Sequence, residues 1–253
     1  LYRLVGSEMC IRDRNKCIAI LNLGKIEKGK KNLIVFLHGD GSPNSPRPGI
    51  PKKSQIRFAK ELINDNNNIF LFARPGYFIR ERGSSEEDRY SSGPRNAIKS
   101  TVVNYDWKNF QILAPALQNL KKYYKPKKLI LIGHSGGAYQ GGTIHGKVPG
   151  LVDINILISC PCDWEIRKKL SNGKKWETKS QLKELKKNSP SFNYKDIDLK
   201  SLNILIVGKD DKNTAPGVSK YYYDLLKKKK LQVKLHIIDG GHGLRSMPTI
   251  GSV

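Results

Sequence analysis

An aliphatic run, Leu129-Ile130-Leu131-Ile132, passes without a break into Gly133-His134-Ser135-Gly136-Gly137. A short unbroken apolar run is what a parallel strand covered on both faces requires. The pentapeptide after it is a complete G-x-S-x-G match. A strand that turns at once into a helix holds its middle residue in a strained turn. Side chains at the flanking positions would collide there, so glycines occupy them. The serine oxygen then stands clear at the carboxyl end of the sheet. The helix that starts beneath it offers free N–H groups where negative charge would develop.

The rest of the chain repeats the alternation. Buried-strand runs are expected at residues 33–37, 69–73, 154–159, 203–207 and 232–238, and residues 17–26 read as an edge strand. Between them lie helical patterns. Ile56, Ala59 and Ile63 mark one face. Residues 106–124 place Trp107, Phe110, Leu113, Leu117 and Leu120 toward a core, with Pro115 as a kink point. After Pro216, the residues Val218, Tyr221, Tyr222, Leu225 and Leu226 follow helical spacing. Strands alternating with helices predict an α/β fold: one domain over residues 15–253, a mostly parallel sheet and helices on both faces. Two polar segments, 77–103 and 164–188, are candidates for a small lid; the first is long and aperiodic, the second lysine-rich and helix-compatible.

Three predicted strand ends carry residue types that act together in nucleophilic catalysis, in the order Ser135, Asp211, His242. A serine hydroxyl is a poor nucleophile without a base within hydrogen-bond reach, and the base needs a partner to fix its tautomer. The order Ser, Asp, His is the one associated with a G-x-S-x-G elbow. On these residues, over about positions 33–243, the chain resembles an α/β-hydrolase-fold serine hydrolase, esterase- or peptidase-like. The resemblance implies an acid in the loop after the strand ending at Val207 and a histidine after the last strand. Gly208-Lys209-Asp210-Asp211, followed by Pro216, fits Asp211 better than Asp210. Asp163, at the end of the preceding strand, is a third candidate for the acid. His242 sits between glycines, where a mobile imidazole reaches a serine. His134 and His38 read as structural, and Asp239 as a turn residue. The resemblance also implies an oxyanion hole made by the N–H groups of Gly136 and Asp40, the latter in His38-Gly39-Asp40-Gly41. A carboxylate at that position has to point away from the developing oxyanion.

Composition narrows the class. The 253 residues carry 46 Lys and Arg against 22 Asp and Glu, a net charge of +24. The excess is mostly lysine spread from Lys16 to Lys234, as an A- and T-biased gene would encode. No nucleic-acid motif accompanies it, so specific nucleic-acid binding is not expected. No metal-ligand set or cofactor motif is present, and no apolar run approaches the ~20 residues of a membrane span. Of the cysteines Cys10, Cys17, Cys160 and Cys162, the pair in Cys160-Pro161-Cys162 looks too closely spaced for an ordinary disulfide and reads as buried or idle thiols. Residues 4–14, Leu-Val-Gly-Ser-Glu-Met-Cys-Ile-Arg-Asp-Arg, fit one reading frame of a transposase-type sequencing adapter. Residues 1–14 are therefore expected to be non-native and to pack on nothing. A cytoplasmic setting is expected, although a leader ahead of that segment would not show.

Two functions follow from the sequence. The first is a metal-independent serine hydrolase acting on a small acyl substrate, a carboxylic ester in preference to a peptide or amide. The second is a non-catalytic module that uses the basic surface to hold acidic partners. Oligomeric state is not legible.

Overall fold

Apolar runs of Ile, Leu, Val and Phe supply every central strand of the sheet, and the order of those strands decides where the site lies. In the computed structural model of the protein, residues 4–5, 8–13, 16–40, 49–50, 53–75, 77–79, 83–84, 107, 111–170 and 179–244 are described. The strands are β1 (Leu4–Val5), β2 (Glu8–Asp13), β3 (Lys16–Leu23), β4 (Asn32–Leu37), β5 (Gly49–Ile50), β6 (Asn67–Phe72), β7 (Phe78–Ile79), β8 (Gly83–Ser84), β9 (Lys128–His134), β10 (Ile154–Ile158), β11 (Leu202–Gly208) and β12 (Gln232–Ile238). The helices are α1 (Lys53–Lys60), α2 (Leu113–Tyr124), α3 (Gly136–Lys147), α4 (Trp164–Leu170), α5 (Lys179–Lys187), α6 (Pro190–Asn193) and α7 (Pro216–Lys228).

A nine-stranded sheet runs in the order β1-β2-β3-β6-β4-β9-β10-β11-β12. From β6 to β12 every neighbouring pair is parallel, and β1, β2 and β3 continue one edge as antiparallel strands. A small three-stranded sheet joins β5, β7 and β8. This is the mostly parallel, two-faced α/β architecture expected from the alternating pattern.

Period-two alternation gives the sheet two different faces. Leu33, Val35, Leu37, Leu131, Leu157 and Leu205 point to one side, where α2, α3 and α7 cover them with Leu117, Tyr139, Ile144, Tyr222 and Leu226. Ile34, Phe36, Ile132, Ile158 and Ile206 point to the other, against Phe58 and Ala59 of α1 and against Leu244. Each such side chain, fully buried, contributes roughly 1.5–3 kcal/mol of transfer free energy.

Several local expectations change. The strand at residues 17–26 is not at the edge, because β2 pairs outside it. The segment before Asn15 does not pack on nothing: Met9 to Asp13 pair antiparallel with Ile20 to Lys16. Backbone pairing needs only strand-compatible residues, so even a foreign segment can extend an open edge. Pro115 does not kink its helix, because α2 begins at Leu113 and places the proline in the first turn, where no intrahelical N–H bond is lost. Tyr221, assigned to the core face of α7, is 37% exposed, while Val218, Tyr222 and Leu226 are buried. Cys160 and Cys162 form a disulfide. Their Cα atoms are 5.0 Å apart, within the span a disulfide bridges, so one intervening proline does not forbid the bond. Of the lid candidates, 164–188 contains α4 and α5, and most of 77–103 lies outside the described residues.

Candidate active site

The elbow follows from steric limits at two glycines. A Cβ on Gly133 would lie 2.5 Å from Ala138 Cα, and one on Gly137 would be driven into the carbonyl oxygen of Leu37. Nothing larger than hydrogen fits at either place. The chain therefore turns between them with Ser135 at φ 53° and ψ −118°, a conformation that costs a non-glycine residue of order 1–3 kcal/mol. The Ser135 N–H donates to the carbonyl of Ile158 at 2.8 Å, which ties the turn to β10. Helix α3 starts at Gly136, so that residue's N–H is among those without an intrahelical acceptor.

Three remote residues meet at this turn. His242 Nε2 lies 2.8 Å from Ser135 Oγ. His242 Nδ1 lies 2.9 Å from Asp211 Oδ2 and 3.1 Å from Oδ1. A carboxylate only accepts, so Nδ1 carries the proton and the Nε2 lone pair faces the serine hydroxyl. Asp211 is buried and lies in the loop between β11 and α7. Its Oδ1 accepts the N–H groups of Asn213 and Thr214, and its Oδ2 accepts the Thr214 hydroxyl at 2.7 Å. Burial pushes this carboxyl up, but the His242 bond and charge and the Thr214 bonds outweigh it and bring its pKa down to about 2. Asp211 is thus held as an anion.

The other acids are placed elsewhere. Asp210 is exposed at the loop surface. Asp163 accepts the Ile166 N–H at the start of α4 and the Ser191 hydroxyl. Asp239 is paired with Lys209 at 2.8 Å.

The loop after β4 forms the other wall. A Cβ on Gly39 would lie 3.2 Å from Ser135 Cβ, so the loop runs directly against the elbow. Asp40 turns its carboxylate aside: Oδ1 accepts from Arg74 Nη1 at 2.9 Å and from the Tyr77 hydroxyl at 3.1 Å. Gly41 lies outside the described residues.

Arg74, in the loop after β6, is completely buried. Its Nε donates to Gln140 Oε1 on α3 at 2.7 Å, and its Nη1 donates to the His38 carbonyl at 2.9 Å. Its own N–H donates to His38 Nε2, while His38 Nδ1 donates to the Gly39 carbonyl. The guanidinium thus joins β4, β6 and α3. No local signal in the sequence announces it, because its three acceptors lie in two distant segments, residues 38–40 and Gln140. Thr214 was also missed. Its signal is an aspartate followed three residues later by a threonine, the spacing of a side-chain-capped turn.

His134 Nε2 is 2.9 Å from the His242 carbonyl, and the two rings stand 5.5 Å apart. His145 is buried on α3 with both ring nitrogens unpartnered. Among the described residues, no group of three His, Cys, Asp or Glu side chains is placed to hold a metal ion, and no helix is long and apolar enough to cross a membrane.

Residues 65–250 match the prolyl oligopeptidase family. Among solved structures, the chain is similar to an acylaminoacyl peptidase of Pyrococcus horikoshii, with TM-score 0.68 and 19% identity over 95% of this chain and 38% of that one. It is also similar to an esterase of Pyrococcus furiosus, with TM-score 0.64 and 19% identity over 97% and 85%. A third similarity is to Est1E of Butyrivibrio proteoclasticus, solved with ferulic acid, with TM-score 0.65 and 12% identity over 96% and 93%. The chain spans under two-fifths of the length of the acylaminoacyl peptidases it matches. These likenesses place the fold with the α/β-hydrolases. No curated protein sequence matches the chain.

Proposed function

Because the chain belongs to the prolyl oligopeptidase family, we propose that it is a serine hydrolase that works by acyl transfer, with Ser135 as nucleophile, His242 as base and Asp211 as the orienting acid. The observation that carries this reading is the continuous contact from Ser135 Oγ to His242 Nε2 at 2.8 Å and from Nδ1 to Asp211 Oδ2 at 2.9 Å. As Ser135 Oγ attacks an acyl carbonyl carbon, His242 Nε2 takes its proton. The carbonyl oxygen, now negative, is held by the N–H groups of Gly136 and Asp40. His242 then passes the proton to the leaving group. Water, deprotonated by the same nitrogen, attacks the acyl-enzyme and releases Ser135. No metal or cofactor takes part in these steps.

A carboxylic ester is the preferred substrate class. It needs no group to grip a free peptide end, and Arg74, whose guanidinium contacts the loop after β4, is already committed to Asp40. The second reading, a peptidase or amidase, draws its support from the family match. The site described here is the same for both. Helices α4 to α6 are proposed to cover the substrate side. Arg167 on α4 donates to the Asn213 carbonyl at 3.0 Å, which ties that cover to the acid loop.

Parallel assays on p-nitrophenyl acyl esters and on aminoacyl and N-acyl-aminoacyl p-nitroanilides test the choice. An esterase turns over the esters and leaves the anilides nearly untouched. Comparable kcat/KM on an anilide reverses the preference. Inactivity on both sets, with salt-sensitive polyanion binding that survives Ser135→Ala, returns the chain to the binding-module alternative.

A further inference from the structure

The x position of G-x-S-x-G holds His134, the last residue of β9, and its side chain reaches across to the loop that carries His242. A carbonyl oxygen only accepts, so the 2.9 Å contact from His134 Nε2 to the His242 oxygen makes Nε2 the protonated nitrogen. His134 Nδ1 is then a bare lone pair. It is buried without a partner and faces Gly39, where a Cβ would come within 2.8 Å of it. The ring therefore fills the space between the Gly39 wall and the His242 loop and makes its one hydrogen bond to that loop.

The main chain of this loop is held at Gly240, whose carbonyl accepts the Asp210 N–H at 3.0 Å, and the His134 bond adds a hold at His242 itself. His242 is flanked by Gly240, Gly241 and Gly243, and Gly240 adopts φ 115°. Glycines leave the backbone the widest choice of conformations. Asp211 fixes the imidazole through Nδ1 but exerts no hold on the main chain of His242. The His134 bond supplies that hold from the residue adjacent to the nucleophile, so elbow and base move together.

We propose that His134 is a positioning residue: it pins the main chain of His242 to the nucleophile elbow and so sets the distance between Nε2 and Ser135 Oγ. This rests on the serine-hydrolase reading above. It assigns His134 no contact with substrate.

The test compares His134→Phe and His134→Met, which lack a donor, with His134→Gln, whose amide N–H can reach the same carbonyl. Each is assayed for kcat and KM on a p-nitrophenyl acyl ester, with thermal unfolding confirming a folded chain. A small misplacement of a catalytic group costs up to about a hundredfold in rate. The two donor-less variants are expected to lose roughly 10- to 100-fold in kcat with KM little changed, and Gln to recover most of it. Full kcat in Phe and Met, or equal losses in all three, overturns the role of His134. A wild-type rate that Ser135→Ala leaves unchanged overturns the hydrolase reading itself.

Discussion

At the scale of single residues, the site combines strain with satisfied charge. Ser135 sits at φ 53° and makes no side-chain cap bond to α3. Ser135→Gly should therefore relieve backbone strain while losing the nucleophile. The expected net gain is about 1 kcal/mol of stability after glycine's entropy cost, read as a higher urea midpoint. Ser135→Ala should lower kcat by up to roughly a million-fold without unfolding the chain. Asp211 gives a pH signature. Its pKa falls from 3.8 to about 2 on folding, so the unfolded chain binds its proton first as the pH drops. Its stabilisation is complete above about pH 4 and is lost as the pH falls toward 2. In Asp211→Asn, the fall of the urea midpoint across that window should be shallower than in wild type. An identical slope would mean that the carboxylate is not held as described.

Among the elements, two close approaches decide whether the site assembles. Helix α3 can lie beneath the elbow only because Gly137 lets it approach the carbonyls of Leu37 and His38. Gly137→Ala should lower stability by about 3 kcal/mol or yield no soluble chain, since backbone atoms cannot move aside as a flexible side chain can. Arg74 joins β4, β6 and α3 from a buried position. Arg74→Met removes one partner of its pair with Asp40 and its hydrogen bonds to Gln140 and the His38 carbonyl. A cost on the order of 3 kcal/mol is expected in urea denaturation, together with lower kcat from a loosened oxyanion loop. These elements also show what a sequence can reveal. The elbow was legible because its cause is local: an aliphatic run and two glycines that nothing else can replace. Ser135, Asp211 and His242 were legible because each ends a strand or begins the loop after one. Arg74 was not, because a buried guanidinium is explained only by its acceptors, which lie in two segments remote from it along the chain. The disulfide is not legible from spacing, because it depends on the backbone around Pro161 bringing the two Cα atoms to 5.0 Å.

For the whole molecule, the fold was legible in outline from the alternation of strands and helices, while edges and irregular segments were not. The antiparallel strands β2 and β3 carry no pattern that distinguishes a second edge strand from a first. Two histidines drawn out of water, the buried His145 and the half-buried His134, couple the whole fold to pH. Burial pulls His134 and His145 down to about 4 from 6.5. The unfolded chain therefore takes up protons from pH 6.5 downward while the folded chain does not, and stability falls between about pH 6.5 and 4. His145→Leu should raise the urea midpoint, and by more at pH 5 than at pH 8, because it removes both an unpartnered buried polar group and a proton-linked cost. Above pH 7 the two histidines are expected to add no slope.

The central claim is that Ser135 is an activated nucleophile, and its chemical reactivity tests that directly. The chain would be treated with a fluorophosphonate, and the labelled peptide mapped by mass spectrometry in wild type, Ser135→Ala and His242→Ala. The account predicts a phosphonyl adduct on Ser135 in wild type, none in Ser135→Ala, and labelling slowed by orders of magnitude in His242→Ala. An unlabelled Ser135, or labelling of equal rate in wild type and His242→Ala, would contradict it.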